Sequence, residues 1–241
     1  MFDSIFKREE LPLFSSSEEW ETEYSNLMQN EFLSKKYNRE KRISDQREYL
    51  KKLCPDIFSI NSNNLHVVDI GPGPGELLEI ARSLGFQIAG YDALIEDCEM
   101  GLPYVKLSKM MSDRQKLDIE YCGFENILDR LPLENNSTFL VNSRGSIEQV
   151  FKKHLEGPPH KDHHNAKLLK WSLSSDMIND FKRLFIEVER ILVPTGYFII
   201  HGNGTSNIEE YNSLMFELVD NVKNLTIDAS DNNVIHRIRK T

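Results

Sequence analysis

Leu65-His66-Val67-Val68-Asp69-Ile70-Gly71-Pro72-Gly73-Pro74-Gly75-Glu76 is the stretch on which the fold turns. Its first six residues are rich in β-branched and apolar side chains, the composition of a short buried strand. The glycines and prolines that follow break that strand. Leu77, Leu78, Ile80, Ala81 and Leu84 then form a helical face that stops at Gly85, a natural C-cap. Strand, glycine turn and helix in that order open a βαβ unit.

The same alternation continues down the chain. Phe86 to Tyr91 reads as a second strand closed by Asp92, with Tyr91 facing the core on the side opposite Asp92. Thr138 to Asn142 reads as a strand after the turn-forming Glu134-Asn135-Asn136-Ser137. Ile178, Phe181, Leu184, Phe185, Val188 and Ile191 define the strongest amphipathic helix. A turn at Pro194-Thr195-Gly196 and a strand from Tyr197 to His201 follow. After a helix from about Ile208 to Val222, Leu225 to Asp228 and Val234 to Ile238 flank the turn residues Asp231-Asn232-Asn233. They predict a hairpin whose last strand is antiparallel. The fold class is therefore α/β, a doubly wound and mostly parallel sheet with helices on both faces.

Residues 1–64 differ in being charge-rich and glycine-poor. Ser15-Ser16-Ser17 before Glu18 and Glu19 marks a helix start, and Trp20, Tyr24, Leu27 and Met28 recur at helical spacing. A second pattern, Ile43, Tyr49, Leu50 and Leu53, ends before Cys54-Pro55. These helices are expected to form an N-terminal cap, either structural or a lid over a ligand site, on a domain spanning 65–241.

The 241 residues carry 29 Lys+Arg against 38 Asp+Glu, a net charge of −9. That balance argues against nonspecific nucleic-acid binding, which needs cations on phosphates. No run approaches the ~20 apolar residues of a membrane span, and the N-terminus lacks the apolar core of a secretory signal. Cys54, Cys98 and Cys122 are odd in number and far apart, so they read as packing thiols in a reducing cytoplasm.

Gly71, Gly73 and Gly75 sit between strand and helix, where bare backbone turns sharply and can approach a ligand. Asp92 lies 17 residues past Gly75, at the end of the second strand, where a carboxylate can accept hydrogen bonds from both ribose hydroxyls of a nucleoside. The spacing is G-x-G-x-G rather than the dinucleotide G-x-G-x-x-G, and Glu76 stands where a pyrophosphate would lie. An NAD-dependent oxidoreductase is accordingly disfavoured. Asp69 suits a cationic ligand group, and S-adenosyl-L-methionine has an ammonium, a sulfonium and no phosphate.

Asp69-Ile70-Gly71-Pro72-Gly73-Pro74-Gly75 resembles motif I of the class I S-adenosylmethionine-dependent methyltransferases, which have a Rossmann-like fold. The resemblance runs from about residue 65 to the C-terminus. It implies a seven-stranded sheet, a ribose-binding role for Asp92, and Ala93 and Leu94 flanking the adenine. Leu131 to Ser137 resembles the segment leading into the family's strand four, which places Ser143 near the cofactor. Val193 to Gly196 resembles the turn before strand five. The family often places an adenine-binding Asp shortly after strand three, where this chain has Gly123 to Asp129, with Glu125 or Asn126 the nearest counterparts. Strand four also lacks the acid that family members often carry there.

The resemblance implies transfer of a methyl group to an O or N atom of a small-molecule or glycan acceptor. The alternative is a catalytically weak cofactor-binding scaffold or sensor. A hydroxyl acceptor usually needs a base. Arg144, at the strand-four end, is a candidate to hold an anionic acceptor or to make structural hydrogen bonds. Residues 151–175 form an insertion near the acceptor pocket, containing His160, His163 and His164. His163 and, at the end of the next strand, His201 are candidate bases. The histidine spacing fits no standard metal motif, so no metal is expected.

Overall fold

The computed structural model describes residues 16–92, 101–121, 130–144, 175–201, 208–231 and 235–241. Seven strands form one sheet: β1 (His66–Ile70), β2 (Gln87–Asp92), β3 (Ile119–Tyr121), β4 (Thr138–Arg144), β5 (Leu192–His201), β6 (Leu225–Asp231) and β7 (Ile235–Lys240). Their order is β3-β2-β1-β4-β5-β7-β6. The first five are parallel, and β7 runs antiparallel to both β5 and β6. This is the mixed, doubly wound architecture expected from the alternation, with the seven strands of a Rossmann-like sheet that the resemblance implies.

Seven α-helices are described: α1 (Ser17–Met28), α2 (Glu31–Lys36), α3 (Arg39–Leu53), α4 (Glu76–Ser83), α5 (Gly101–Gln115), α6 (Ser175–Ile191) and α7 (Ile208–Asp220). Strand alternation sends neighbouring side chains to opposite faces. Val68, Ile70, Tyr91, Val141, Phe198 and Ile200 meet α6 and α7 through Phe181, Leu184, Phe185, Leu214 and Met215. On the other face Val67, Leu140 and Ile199 meet α3 and α4 through Leu50, Leu53, Leu77, Leu78 and Ile80. Tyr91 is buried among the first set, as its position before Asp92 requires.

A third apolar cluster joins the N-terminal helices to α5: Trp20, Leu33, Tyr37, Leu107, Met110 and Met111. The Trp20 indole N–H donates to the Met110 carbonyl at 3.2 Å, and the Arg114 guanidinium lies 4.0 Å from the indole centroid. Ser16 caps α1 through the Glu19 N–H, and Asn38 caps α3 through the Lys41 N–H. Pro55 follows α3 and begins a short 3-10 turn, Pro55–Phe58.

Strands β4 and β6 run on to Arg144 and Asp231, beyond the ends read from sequence, and the start of β5 differs more. The turn expected at Pro194-Thr195-Gly196 lies inside the span of β5, because pairing with β4 begins at Leu192. Leu192 and Tyr197 pair with Thr138 and Leu140, so the extra residues bulge out. Thr195 takes φ 71° at the bulge. A Cβ on Gly196 would stand 2.9 Å from the Val193 carbonyl and 3.1 Å from that of Phe139. The punctuation residues kink a strand rather than precede it.

Candidate functional site

In this strand order the chain changes direction across the sheet between β1 and β4, and ligands of open α/β sheets bind at such a switch point, beyond the carboxyl ends of the strands. The glycine loop stands over that point. Gly71, Gly73 and Gly75 have φ of 74°, 54° and 84°, a region that side chains disfavour. The Gly71 N–H donates to Tyr91 O at 2.7 Å and the Gly75 N–H to Pro72 O at 3.0 Å, so the bend is pinned to β2 and closed on itself.

Two of these glycines are needed for close packing within the protein, in addition to any ligand approach. A Cβ on Gly75 would come within 2.3 Å of Leu117 Cδ1, and one on Gly73 within 2.8 Å of the Tyr104 hydroxyl. Tyr104, on α5, therefore sits against the loop.

Asp69 is 4% exposed at the end of β1. Its Oδ1 accepts from Asn142 Nδ2 at 2.7 Å, across the switch point, and Asn142 Oδ1 in turn faces the Tyr49 hydroxyl at 3.4 Å. Burial raises the Asp69 carboxyl to about 7; the Asn142 bond opposes this, and the charges of Asp92 and Glu76 add to it. A buried carboxylate among other acids is expensive to ionise without a cation beside it. Asp92, half-buried at the tip of β2, lies on the same sheet face as Asp69.

Glu76, 6% exposed, is bound in fork geometry by Arg42 of α3, with Nε to Oε1 at 2.7 Å and Nη2 to Oε2 at 3.3 Å. One turn earlier on α3, Arg39 pairs with Glu79. Arginines and glutamates spaced i,i+3 thus join the first turns of α3 and α4 in two rungs. Arg42 also donates to the Tyr104 hydroxyl at 3.1 Å and lies between the Tyr37 and Tyr104 rings, 5.6 and 5.9 Å from their centroids. Burial pushes the Tyr104 phenol up to about 12 and raises that of Tyr37 as well. With the Glu76 charge answered by Arg42, the other carboxylates at the loop among the described residues are Asp69 and Asp92. The electrostatic objection to a pyrophosphate therefore rests on those two, not on Glu76.

At the other end of the site, Arg144 is exposed at the tip of β4 and pairs in register with His201 of β5. Its Nη1 donates to Gln46 Oε1 at 3.1 Å, and its guanidinium lies 5.0 Å from the Tyr49 ring centroid. The Tyr49 and His201 rings are nearly parallel, at 16° with centroids 6.4 Å apart. Ser143, between Asn142 and Arg144, faces the opposite side of β4 and is 1% exposed. The side chain that reaches Asp69 is that of Asn142, rather than Ser143.

The structure therefore brings together Asp69, the three glycines, Asp92, Arg144 and His201 at one edge of the sheet. Ala93, Leu94, Glu125, Asn126, His163, Cys98, Cys122 and the 151–174 part of the insertion lie outside the described residues. Cys54 is buried, its thiol pushed up to about 12 by burial, which suits a packing role. Arg42, Gln46, Tyr104 and Asn142 join the site without having been singled out as site residues from sequence, and Tyr49 only as part of an apolar pattern. No helix among the described residues is long and apolar enough to cross a membrane.

A ligand for this edge must tolerate two carboxylates and a short glycine bend. Carboxylates that accept hydrogen bonds fit the ribose hydroxyls and ammonium of an adenosylated amino acid better than a phosphate-bearing nucleotide.

No protein-family model and no curated protein matches this chain. Several solved structures overlap it. A SAM-dependent methyltransferase from Aquifex aeolicus has a TM-score of 0.45 and 12% identity, over 85% of this chain and 98% of that one. The PH0226 protein from Pyrococcus horikoshii OT3 gives 0.47 and 14%, over 80% and 90%. A geranyl diphosphate C-methyltransferase from Streptomyces coelicolor A3(2), solved with Mg2+, geranyl diphosphate and S-adenosyl-L-homocysteine, gives 0.44 and 12%, over 82% and 74%. Overlaps of this size say nothing about the reaction, which has to come from the residues of the site.

Proposed function

We propose that this chain is an S-adenosyl-L-methionine-dependent methyltransferase acting on an O or N atom of a small-molecule or glycan acceptor. The observation that carries the reading is the buried Asp69–Asn142 pair across the β1/β4 switch point, under a glycine loop with Asp92 at the neighbouring tip. In this reading Asp92 accepts from the ribose hydroxyls, Gly71, Gly73 and Gly75 give the bend its close approach, and Asp69 faces the ammonium directly or through water. Ala93, Leu94, Glu125, Asn126 and Ser143 remain proposed cofactor neighbours from the family resemblance.

When bound, S-adenosylmethionine would supply an electrophilic methyl group on a sulfonium, whose sulfur keeps the pair of the broken carbon–sulfur bond and leaves as a neutral thioether. The protein's share is alignment and exclusion of water. The acceptor atom donates the electron pair of the new bond and sheds a proton, which the imidazole of His201 or His163 can take where the acceptor is a hydroxyl. β4, Thr138–Arg144, carries no acid and no histidine, so it offers no proton acceptor of its own. Residues 1–64 serve as a cap over the site, with α3 supplying Arg42, Gln46 and Tyr49. The partner is a small molecule and the setting cytoplasmic, with neither nucleic acid nor membrane involved.

Calorimetric titration with S-adenosylmethionine, paired with transfer of a labelled methyl group into a small-molecule extract, tests the proposal. Micromolar binding and label incorporation are expected. Absence of binding at millimolar ligand removes it, and binding without any transfer favours a cofactor-holding scaffold.

A further inference from the structure

The site is electrically lopsided. Asp69, Asp92 and Glu76 stand at the β1/β2 end, and Arg42 forks Glu76 there. Arg144 stands at the β4/β5 end, and among the described residues it forms no ion pair. Its contacts with the Tyr49 ring face and the Gln46 amide oxygen hold the guanidinium in place without neutralising it, and its charge reaches Asp69 only as a minor influence that favours the ionised acid. An exposed guanidinium oriented in this way keeps part of its fork available, and that fork matches the two oxygens of a carboxylate or phosphate.

Strand spacing assigns the charge to the acceptor's side of the site. Asp92 lies on β2 and Arg144 on β4, with β1 between them, so their backbones are about 10 Å apart. A nucleoside held by Asp92 at one end and a group held by Arg144 at the other would face each other over Gly71 and Asp69. The nearly parallel Tyr49 and His201 rings lie on the Arg144 side of that line.

We propose that Arg144, seated on Tyr49 and Gln46 at the tip of β4, binds a carboxylate or phosphate group of the methyl acceptor. The acceptor is thus anionic, with its charged group set away from the reacting atom. This rests on the methyltransferase reading above and names the chemical class of its substrate.

The full chain, saturated with S-adenosylhomocysteine, is probed by ligand-observed NMR with benzoate, phenyl phosphate and the neutral isostere benzamide. Binding of at least one of the two anions is expected, about tenfold tighter than benzamide, and the tighter anion identifies the acceptor group as carboxylate or phosphate. Arg144→Gln should weaken the anion by about tenfold or more, while Arg144→Lys retains part of the affinity. Both variants should melt like the parent and keep S-adenosylhomocysteine affinity within roughly threefold by calorimetry. Three results would overturn the assignment: no anion binding, benzamide binding as tightly as the anions, or anion affinity indifferent to Arg144→Gln. A tenfold loss of S-adenosylhomocysteine affinity in Arg144→Gln would also overturn it, by moving Arg144 to the cofactor. Failure of the parent protein to bind S-adenosylhomocysteine at all is a separate result, which removes the methyltransferase reading itself.

Discussion

Asn142 donates to Asp69 at 2.7 Å across the β1/β4 switch point, and both side chains are almost wholly buried. The amide can stabilise the carboxylate but cannot neutralise it, and the acid stays near 7. Between about pH 4 and 7 the folded protein holds a proton that the unfolded chain has released, so this group makes stability fall as pH rises through that window. Asp69→Asn should remove that dependence and raise the stability of the ligand-free protein at pH 8 by about 1–3 kcal/mol. Thermal melts of both proteins from pH 5 to 8 check this; a destabilised Asp69→Asn at pH 8 contradicts it.

The same linkage governs binding. An ammonium beside it favours the ionised acid, so the affinity for zwitterionic S-adenosylhomocysteine should climb between pH 5 and 7, by at most about tenfold per pH unit. Calorimetry at three pH values reads the slope. Asp69→Asn should bind weakly and without that slope.

The two rungs between α3 and α4 make a stability prediction. Arg42 is partly exposed and Glu76 is not, so Arg42→Ala strands a buried carboxylate. A loss of about 1–3 kcal/mol is expected, with a smaller one for Glu76→Gln. Because Arg42 also holds Tyr104 against the loop, a double-mutant cycle should show coupling between the Arg42 and Tyr104 substitutions. Denaturant titration of the four proteins measures it, and additive losses would refute the link.

Glycine substitutions should separate in rank. Gly75→Ala meets both a left-handed backbone and Leu117 Cδ1 at 2.3 Å, and should cost more than about 2 kcal/mol. Gly73→Ala meets the end of a tyrosine side chain and should cost less. Leu117→Ala should relieve part of the Gly75→Ala loss but not its backbone share. Equal melting temperatures for the two alanine variants would contradict this.

Much of this was legible in the sequence because the decisive elements encode themselves locally. The run before Gly71 alternates between two buried faces, so Asp69 and Asp92 could be placed on strand tips from spacing alone. What escaped depends on tertiary neighbours. The strand at Ile119–Tyr121 is three residues long, too short for a pattern, and was implied only by the seven-stranded resemblance. Helix α5 buries Leu107 and Met110 against the N-terminal helices rather than the sheet, which weakens its periodic signal. Arg42, Gln46 and Tyr49 lie on a helix read for its apolar residues. Their polar groups became relevant only once α3 was laid beside the loop. Ser143 and Asn142 are adjacent, and only the strand's register decides which of them faces Asp69.

In the proposed methyltransferase, Asp92 has to grip the adenosyl group by its sugar beside the glycine bend. The parent protein and Asp92→Ala, titrated side by side with S-adenosylhomocysteine at pH 7.5, test it directly. Saturable binding by the parent is expected, with a loss of about 2 kcal/mol or more, roughly thirtyfold, in the variant and an unchanged melting temperature. Equal affinity in the two proteins, or no binding by either, would contradict it.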